Sequence, residues 1–177
     1  MVSFMKDSGR GFGDGTLDNE QLRAGSAMAY GITQQPINGT PSIPNDYYQY
    51  MRANWSNGSP INYGYDGLGG TVPTAFMFPG DSDPLGFSTS GSVINDEWSE
   101  GTNANEPGDR RGVLSTPAFT IEPGEVNVIT YAYIWAQDVT DSTDAQALLF
   151  EAYDEVASYY EDCFSTVDDI SLGNEEF

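Results

Sequence analysis

From Val126 to Gln137 the chain reads VNVITYAYIWAQ, with an apolar or aromatic residue at nearly every position. Val, Ile, Thr, Tyr and Trp suit a pleated, packed surface, so this stretch predicts a strand. Side chains of a strand alternate between faces. Ile129, Tyr131, Tyr133 and Trp135 therefore share one face, and Val126, Val128, Ala132, Ile134 and Ala136 share the other. Both faces are apolar, which predicts a central strand covered on both sides. Upstream, Glu122-Pro123-Gly124-Glu125 places Pro and Gly at the inner positions of a type II turn. With Pro117–Ile121 as the preceding strand, the pattern predicts a hairpin.

After the strand the period changes. Ala145, Leu148, Leu149, Ala152, Val156, Tyr159 or Tyr160, and Cys163 recur at intervals of three and four, while Asp144, Glu151, Asp154, Glu155, Glu161 and Asp162 fall elsewhere. This predicts an amphipathic helix, capped by Asp141 or Ser142, lying across one face of the strand. A shorter helix is expected over Asp46–Asn54, with Asn45 as its cap and Arg52 near its end, where the helix dipole favours a cation. Residues 22–33 alternate weakly and predict a strand. Between the two helical patterns, residues 56–92 hold eight Gly and four Pro, so long loops are expected, with Phe76-Met77-Phe78 as a short strand or buried anchor. The predicted fold is mainly β. It is an antiparallel, sandwich-like sheet with long Gly/Pro-rich loops, one short helix, and a C-terminal amphipathic helix packed on the sheet. A single β-rich domain is expected over residues 1–164, followed by an acidic tail over 165–177.

Composition narrows the function classes. Of the 177 residues, 13% are aromatic, which gives a core material despite an apolar share of 38%. There are 27 acids against 6 bases, for a formal net charge of −21. Phosphate recognition needs basic residues, so the balance argues against nucleic acid and against an anionic membrane surface. No apolar run is long enough to insert in a membrane. The residues from Met1 onward lack a signal-peptide core, so an export signal would belong to a longer precursor. The chain has no His, which removes His-based triads and His metal ligands. Its one Cys, Cys163, falls on the apolar helix stripe and reads as a small buried hydrophobe.

Four groups of residues carry candidate chemistry. Asp14, Asp18 and Glu20 lie in a Gly-rich loop, and Asp81 and Asp83 lie in Gly80–Pro84; both suit Ca²⁺, which takes carboxylate oxygens. The first loop departs from the EF-hand pattern, with Arg10, Phe12 and Gln21 where ligands belong. Trp55, Tyr63, Tyr65 and Trp98 lie in or beside loops and would suit stacking against sugar rings, although anchoring the loops is the commoner use of such residues. Asp96, Glu97 and Glu100 surround Trp98; a glycosidase pair needs a set separation that sequence does not fix. Finally, Asp109, Arg110 and Arg111 predict structural ion pairing, an Arg fork bonding a carboxylate or loop carbonyls.

Several short stretches, in order, resemble a conserved region of large secreted proteins of Bacteroidota, the type IX secretion cargo with C-terminal sorting domains. They are Gly13–Glu20 (GDGTLDNE), the Tyr47-Tyr48-Gln49-Tyr50-Met51-Arg52 segment running into Trp55, Tyr63-Gly64, and Met77–Asp81 (MFPGD). Trp98-Ser99-Glu100, Pro107–Arg111 (PGDRR), Phe119–Glu125 (FTIEPGE) and Ile134-Trp135-Ala136 complete the series. The resemblance implies an extracellular or cell-surface location and a sheet completed by another segment of a larger precursor or by a neighbouring copy. It carries over no catalytic residue.

Together these features predict a non-catalytic extracellular module, structural, adhesive or filament-forming, that self-associates and is stabilised by Ca²⁺. Two alternatives are a carbohydrate-binding module that takes glycan, and a glycoside hydrolase-like enzyme.

Overall fold

The computed structural model describes residues 2–8, 21–22, 24–31, 37–94, 97–106, 108–124, 126, 128–137 and 142–161. The chain divides into two compact units, residues 24–118 and the segments 1–23 with 119–177. Among the described residues it is a small mixed α/β protein. It has a three-stranded and a two-stranded antiparallel sheet and two helices.

The unit formed by both chain ends holds β1 (Val2–Ser8), β2 (Gln21–Leu22), β5 (Val128–Ile134) and α2 (Ser142–Glu161). The strand order is β2-β1-β5. β1 pairs antiparallel with β5 over its whole length, from Val2 opposite Ile134 to Ser8 opposite Val128. The strand predicted to be central is therefore an edge strand among the described residues. The predicted hairpin does not form either. Pro117–Ile121 is not a strand, and β5 takes a partner from the far end of the chain. The turn itself is present in one respect, since Gly124 has φ +88°.

α2 lies against β1 and β5, as its periodicity predicts. Ala145, Leu149, Ala152 and Val156 are partly buried, whereas Leu148 is exposed. Of the expected caps, Asp141 lies outside the described residues, as do Cys163 and the predicted tail over 165–177. Coverage of β5 is one-sided. Ile134 is buried, but Tyr131, Tyr133 and Trp135 are exposed, the last two at 76% and 78%. Among the described residues, an exposed aromatic face stands where a second covering layer was expected.

The other unit is built around β3 (Ser26–Gly31), α1 (Pro44–Met51) and β4 (Arg110–Ser115). β3 falls within the predicted strand over 22–33, and its burial alternates, with Ser26, Met28 and Tyr30 inward. It pairs antiparallel with β4, from Ser26 opposite Ser115 to Gly31 opposite Arg110. On its other side β3 meets the loop. Ala27 donates its N–H to the Ala75 carbonyl at 2.9 Å and accepts from Met77 N–H at 2.8 Å. The Phe76 segment is thus a one-residue parallel bridge, and Met77 is a buried anchor.

α1 starts earlier than the sequence pattern indicates. Its N-cap is Ile43, not Asn45. Pro44 is the reason: at the first helical position its fixed φ suits the helix and its missing N–H costs nothing. The Asp46 carboxylate reaches back to accept the N–H groups of Ser42 and Ile43 at 3.0 and 3.2 Å. At the other end, the hydroxyls of the paired Ser26 and Ser115 lie 2.9 and 2.7 Å from the Met51 carbonyl and 2.8 Å from each other. Two hydroxyl protons thus serve three oxygen pairs and tie the helix end to both strands.

The core of this unit is Met28, Tyr30, Tyr50, Trp55, Ile61, Met77 and Trp98. Tyr50 links two of its aromatics edge-on, with ring centroids 5.4 Å from Tyr30 and 6.0 Å from Trp55. Such T-shaped contacts place a positive ring edge against a negative face.

Candidate functional site

The Gly-rich middle of the chain wraps two indoles. Trp55 is 1% exposed and donates Nε1–H to the Gly67 carbonyl at 3.1 Å. Trp98 is 6% exposed and donates Nε1–H to the Tyr65 carbonyl at 3.0 Å. A buried indole N–H left without an acceptor would be costly, and the loop backbone supplies one for each. Tyr63 and Phe78 pack on Trp98 at centroid distances of 4.6 and 5.0 Å. Three of the four residues predicted as a stacking surface therefore hold the loop down from inside. Trp55 and Trp98 are core, and Tyr63 is half-buried against Trp98.

Tyr65 is the exception. Tyr65 is 71% exposed, and its backbone sits at φ +53°, a left-handed conformation that disfavours a bulky side chain. The indole of Trp98 holds its carbonyl in place. Gly69 lies against the ring: a Cβ there would stand 3.0 Å from Tyr65 Cδ2. Around it, Asp66, Leu68, Gly69 and Asn103 complete a shallow, open concavity. Asp66 accepts the Leu68 N–H on Oδ1 at 3.1 Å, an Asx turn that fixes the carboxylate. Asn103 donates one amide proton to Asn105 Oδ1 at 2.7 Å. Asp66, Leu68 and Asn103 do not figure among the residues singled out from the sequence. The available signal was the Asx-turn spelling Asp66-Gly67-Leu68; nothing local announces Asn103.

The remaining candidates are placed as follows. Asp14, Asp18, Glu20 and Asp96 lie outside the described residues. Asp81 is exposed in a 3-10 turn, Gly80–Ser82. Asp83 is buried, and its two carboxylate oxygens accept the N–H groups of Phe87 and Ser88 at 2.8 and 2.9 Å. Asp83 therefore satisfies the first two N–H groups of the 3-10 turn Phe87–Thr89, whose N-cap position is Gly86. Among the described residues, no group of three or more acidic or sulfur side chains stands together as a cation site.

Comparison of the chain with protein-family models, with curated proteins and with solved structures returns no match.

Glu97 is exposed. Glu100 spends one carboxylate oxygen on Arg110 Nε at 3.1 Å and the other on Asn105 Nδ2 at 2.7 Å. Arg110 also donates to the Glu106 carbonyl at 2.7 Å and, more weakly, to the Asp109 carbonyl at 3.5 Å. The Arg110 fork thus bridges a carboxylate and loop carbonyls, with Asp109 contributing its backbone. Arg111 sits beside it at the start of β4, opposite Tyr30. No helix among the described residues is long and apolar enough to cross a membrane.

Proposed function

We propose that this chain is a non-catalytic extracellular module that works by self-assembly, as an adhesive or structural element at a cell surface. One observation carries the reading: among the described residues β5 lies at the edge of its sheet, and it presents Tyr131, Tyr133 and Trp135 exposed. An edge strand offers a row of backbone donors and acceptors to another chain. An aromatic face beside that edge supplies apolar area for the same contact. The occupant is a second copy, which pairs with the free edge of β5 or lays its own aromatic face on this one. The sandwich predicted from the sequence is then completed between copies. The resemblance to secreted surface proteins fits the same reading.

Charge sets the conditions. At −21 per chain, two copies repel each other in dilute buffer. Salt shortens that repulsion to about 8 Å at physiological ionic strength, while apolar contact is not screened. Assembly should therefore strengthen with salt. Sedimentation velocity at rising protein and salt concentration tests this, with Tyr133→Lys as the interface variant. An association that Tyr133→Lys leaves unchanged would remove β5 as the contact.

A further inference from the structure

The Tyr65 concavity belongs to the other unit and does not depend on β5. We propose that it is a binding subsite for one pyranose ring of a neutral glycan chain, of the kind whose hydroxyls are all equatorial. Three features of the surface support this.

The first is a presented aromatic face. Tyr65 lies over Gly69 with most of its ring in solvent, although burial beside the aromatic core formed by Tyr63, Phe78 and Trp98 would have been the ordinary outcome for a tyrosine. Its left-handed backbone is a strain that must be held by the surroundings, and the Trp98 bond to its carbonyl does so. The loop is thus pre-organised, which lowers the cost of binding.

Ring polarity provides the second. The face of an aromatic ring is the negative end of its quadrupole. A pyranose with equatorial hydroxyls offers a flat set of axial C–H groups, polarised positive, over its whole face. An axial hydroxyl interrupts that set.

The third is the polar rim. Asp66 Oδ2 has no partner among the described residues, while Oδ1 is fixed by the Leu68 N–H. Asn103 keeps its second amide proton and its carbonyl oxygen, having given one proton to Asn105. A carboxylate that accepts and an amide that both donates and accepts match the hydroxyls at a sugar's edge. Leu68 adds apolar area at the rim. The same carboxylate, in a chain of net charge −21, opposes phosphate and carboxylate ligands. This separates a neutral sugar from a nucleotide, whose base would also stack. The concavity is open rather than deep, so a ligand touches it by one face only. Affinity for a single chain is then weak, on the order of 1 mM, and display of many copies would raise it.

Isothermal titration of the full chain with cellohexaose, mannohexaose and a hexameric polygalacturonate tests the proposal. Cellohexaose should bind saturably, mannohexaose several-fold more weakly, and the anionic oligomer not at all. Tyr65→Ala should weaken cellohexaose at least tenfold, while Tyr65→Phe should stay within about threefold. Asp66→Asn, which can keep the Asx turn, should weaken it by a few-fold. Far-UV circular dichroism and melting temperature confirm that each variant is folded. No saturable binding of cellohexaose by folded protein overturns the proposal. So does binding that Tyr65→Ala leaves intact, or a preference for the anionic oligomer. Sedimentation of Tyr65→Ala should match the parent, since Tyr65 and β5 belong to different units.

Discussion

Gly67 passes so close to Trp55 that a single methyl at position 67 would stand 2.8 Å from the indole Cζ2. The same residue's carbonyl accepts the indole N–H, and its φ is +82°. One glycine therefore meets three demands: a left-handed turn, a close approach and an acceptor for a buried donor. The loop is held by its core rather than laid over it.

This relationship can be separated from backbone conformation alone. Gly64 also has a positive φ, +95°, but a Cβ there would meet nothing within 4 Å. Gly64→Ala should cost about 1 kcal/mol, the conformational penalty. Gly67→Ala adds a steric clash against a packed ring and should cost roughly 2–4 kcal/mol. Urea unfolding of the two variants checks the difference. Equal costs would mean that Trp55 yields freely.

Asp83 makes a second prediction. Its buried carboxylate receives two backbone N–H groups, and hydrogen bonds to charged groups are worth about 1.5–3 kcal/mol each. Asp83→Ala should destabilise the protein by roughly 2–4 kcal/mol, and Asp83→Asn by less, since the amide keeps one acceptor oxygen. Both losses should be the same with and without added Ca²⁺, as measured by thermal unfolding. A loss seen only with Ca²⁺ present would make Asp83 a metal ligand instead of an acceptor for the turn's N–H groups.

Tyr50 predicts behaviour in alkali. Burial, followed by the charges of Asp46 and Tyr30, raises its pKa from 10.0 to about 12. Its hydroxyl donates toward the Gly39 carbonyl at 2.6 Å and lies 3.2 Å from that of Ile37. A group whose folded pKa is raised contributes stability in full below its unfolded pKa and loses it as pH rises through the folded one. The fold should therefore weaken between about pH 10 and 12 as the unfolded chain ionises first. Tyr50→Phe should be less stable at neutral pH and should lose less over that range. Urea midpoints at pH 8, 10 and 11 compare the two, and parallel losses would show that other groups control alkaline unfolding.

Parts of this structure were readable in the chain and others were not, for local reasons. β3, α1 and α2 carry their own periodicity, and Ser142–Glu161 shows the three-and-four spacing plainly. α1 shifted only because Pro44 is a better first residue than Asn45 is a cap. β4 spells RRGVLS, too polar and too interrupted by Gly112 to announce a strand, and its partner β3 lies far back in sequence. β5 looks central because its residues are apolar on both sides. Its position at an edge depends on pairing with Val2–Ser8, which no pattern near Val128 encodes. The aromatic site was half legible. Trp55, Tyr63, Tyr65 and Trp98 stand out as a group, but which of them face inward depends on the carbonyls of Gly67 and Tyr65 being in place to receive indole protons.

On the proposed reading, the exposed aromatic face of β5 joins copies of this chain. Sedimentation velocity of the parent and Tyr133→Lys, from low salt to about 0.5 M, measures it most directly. The predicted result is association of the parent that grows with protein and salt concentration, with Tyr133→Lys remaining monomeric and folded. A parent that sediments as a monomer throughout would contradict it.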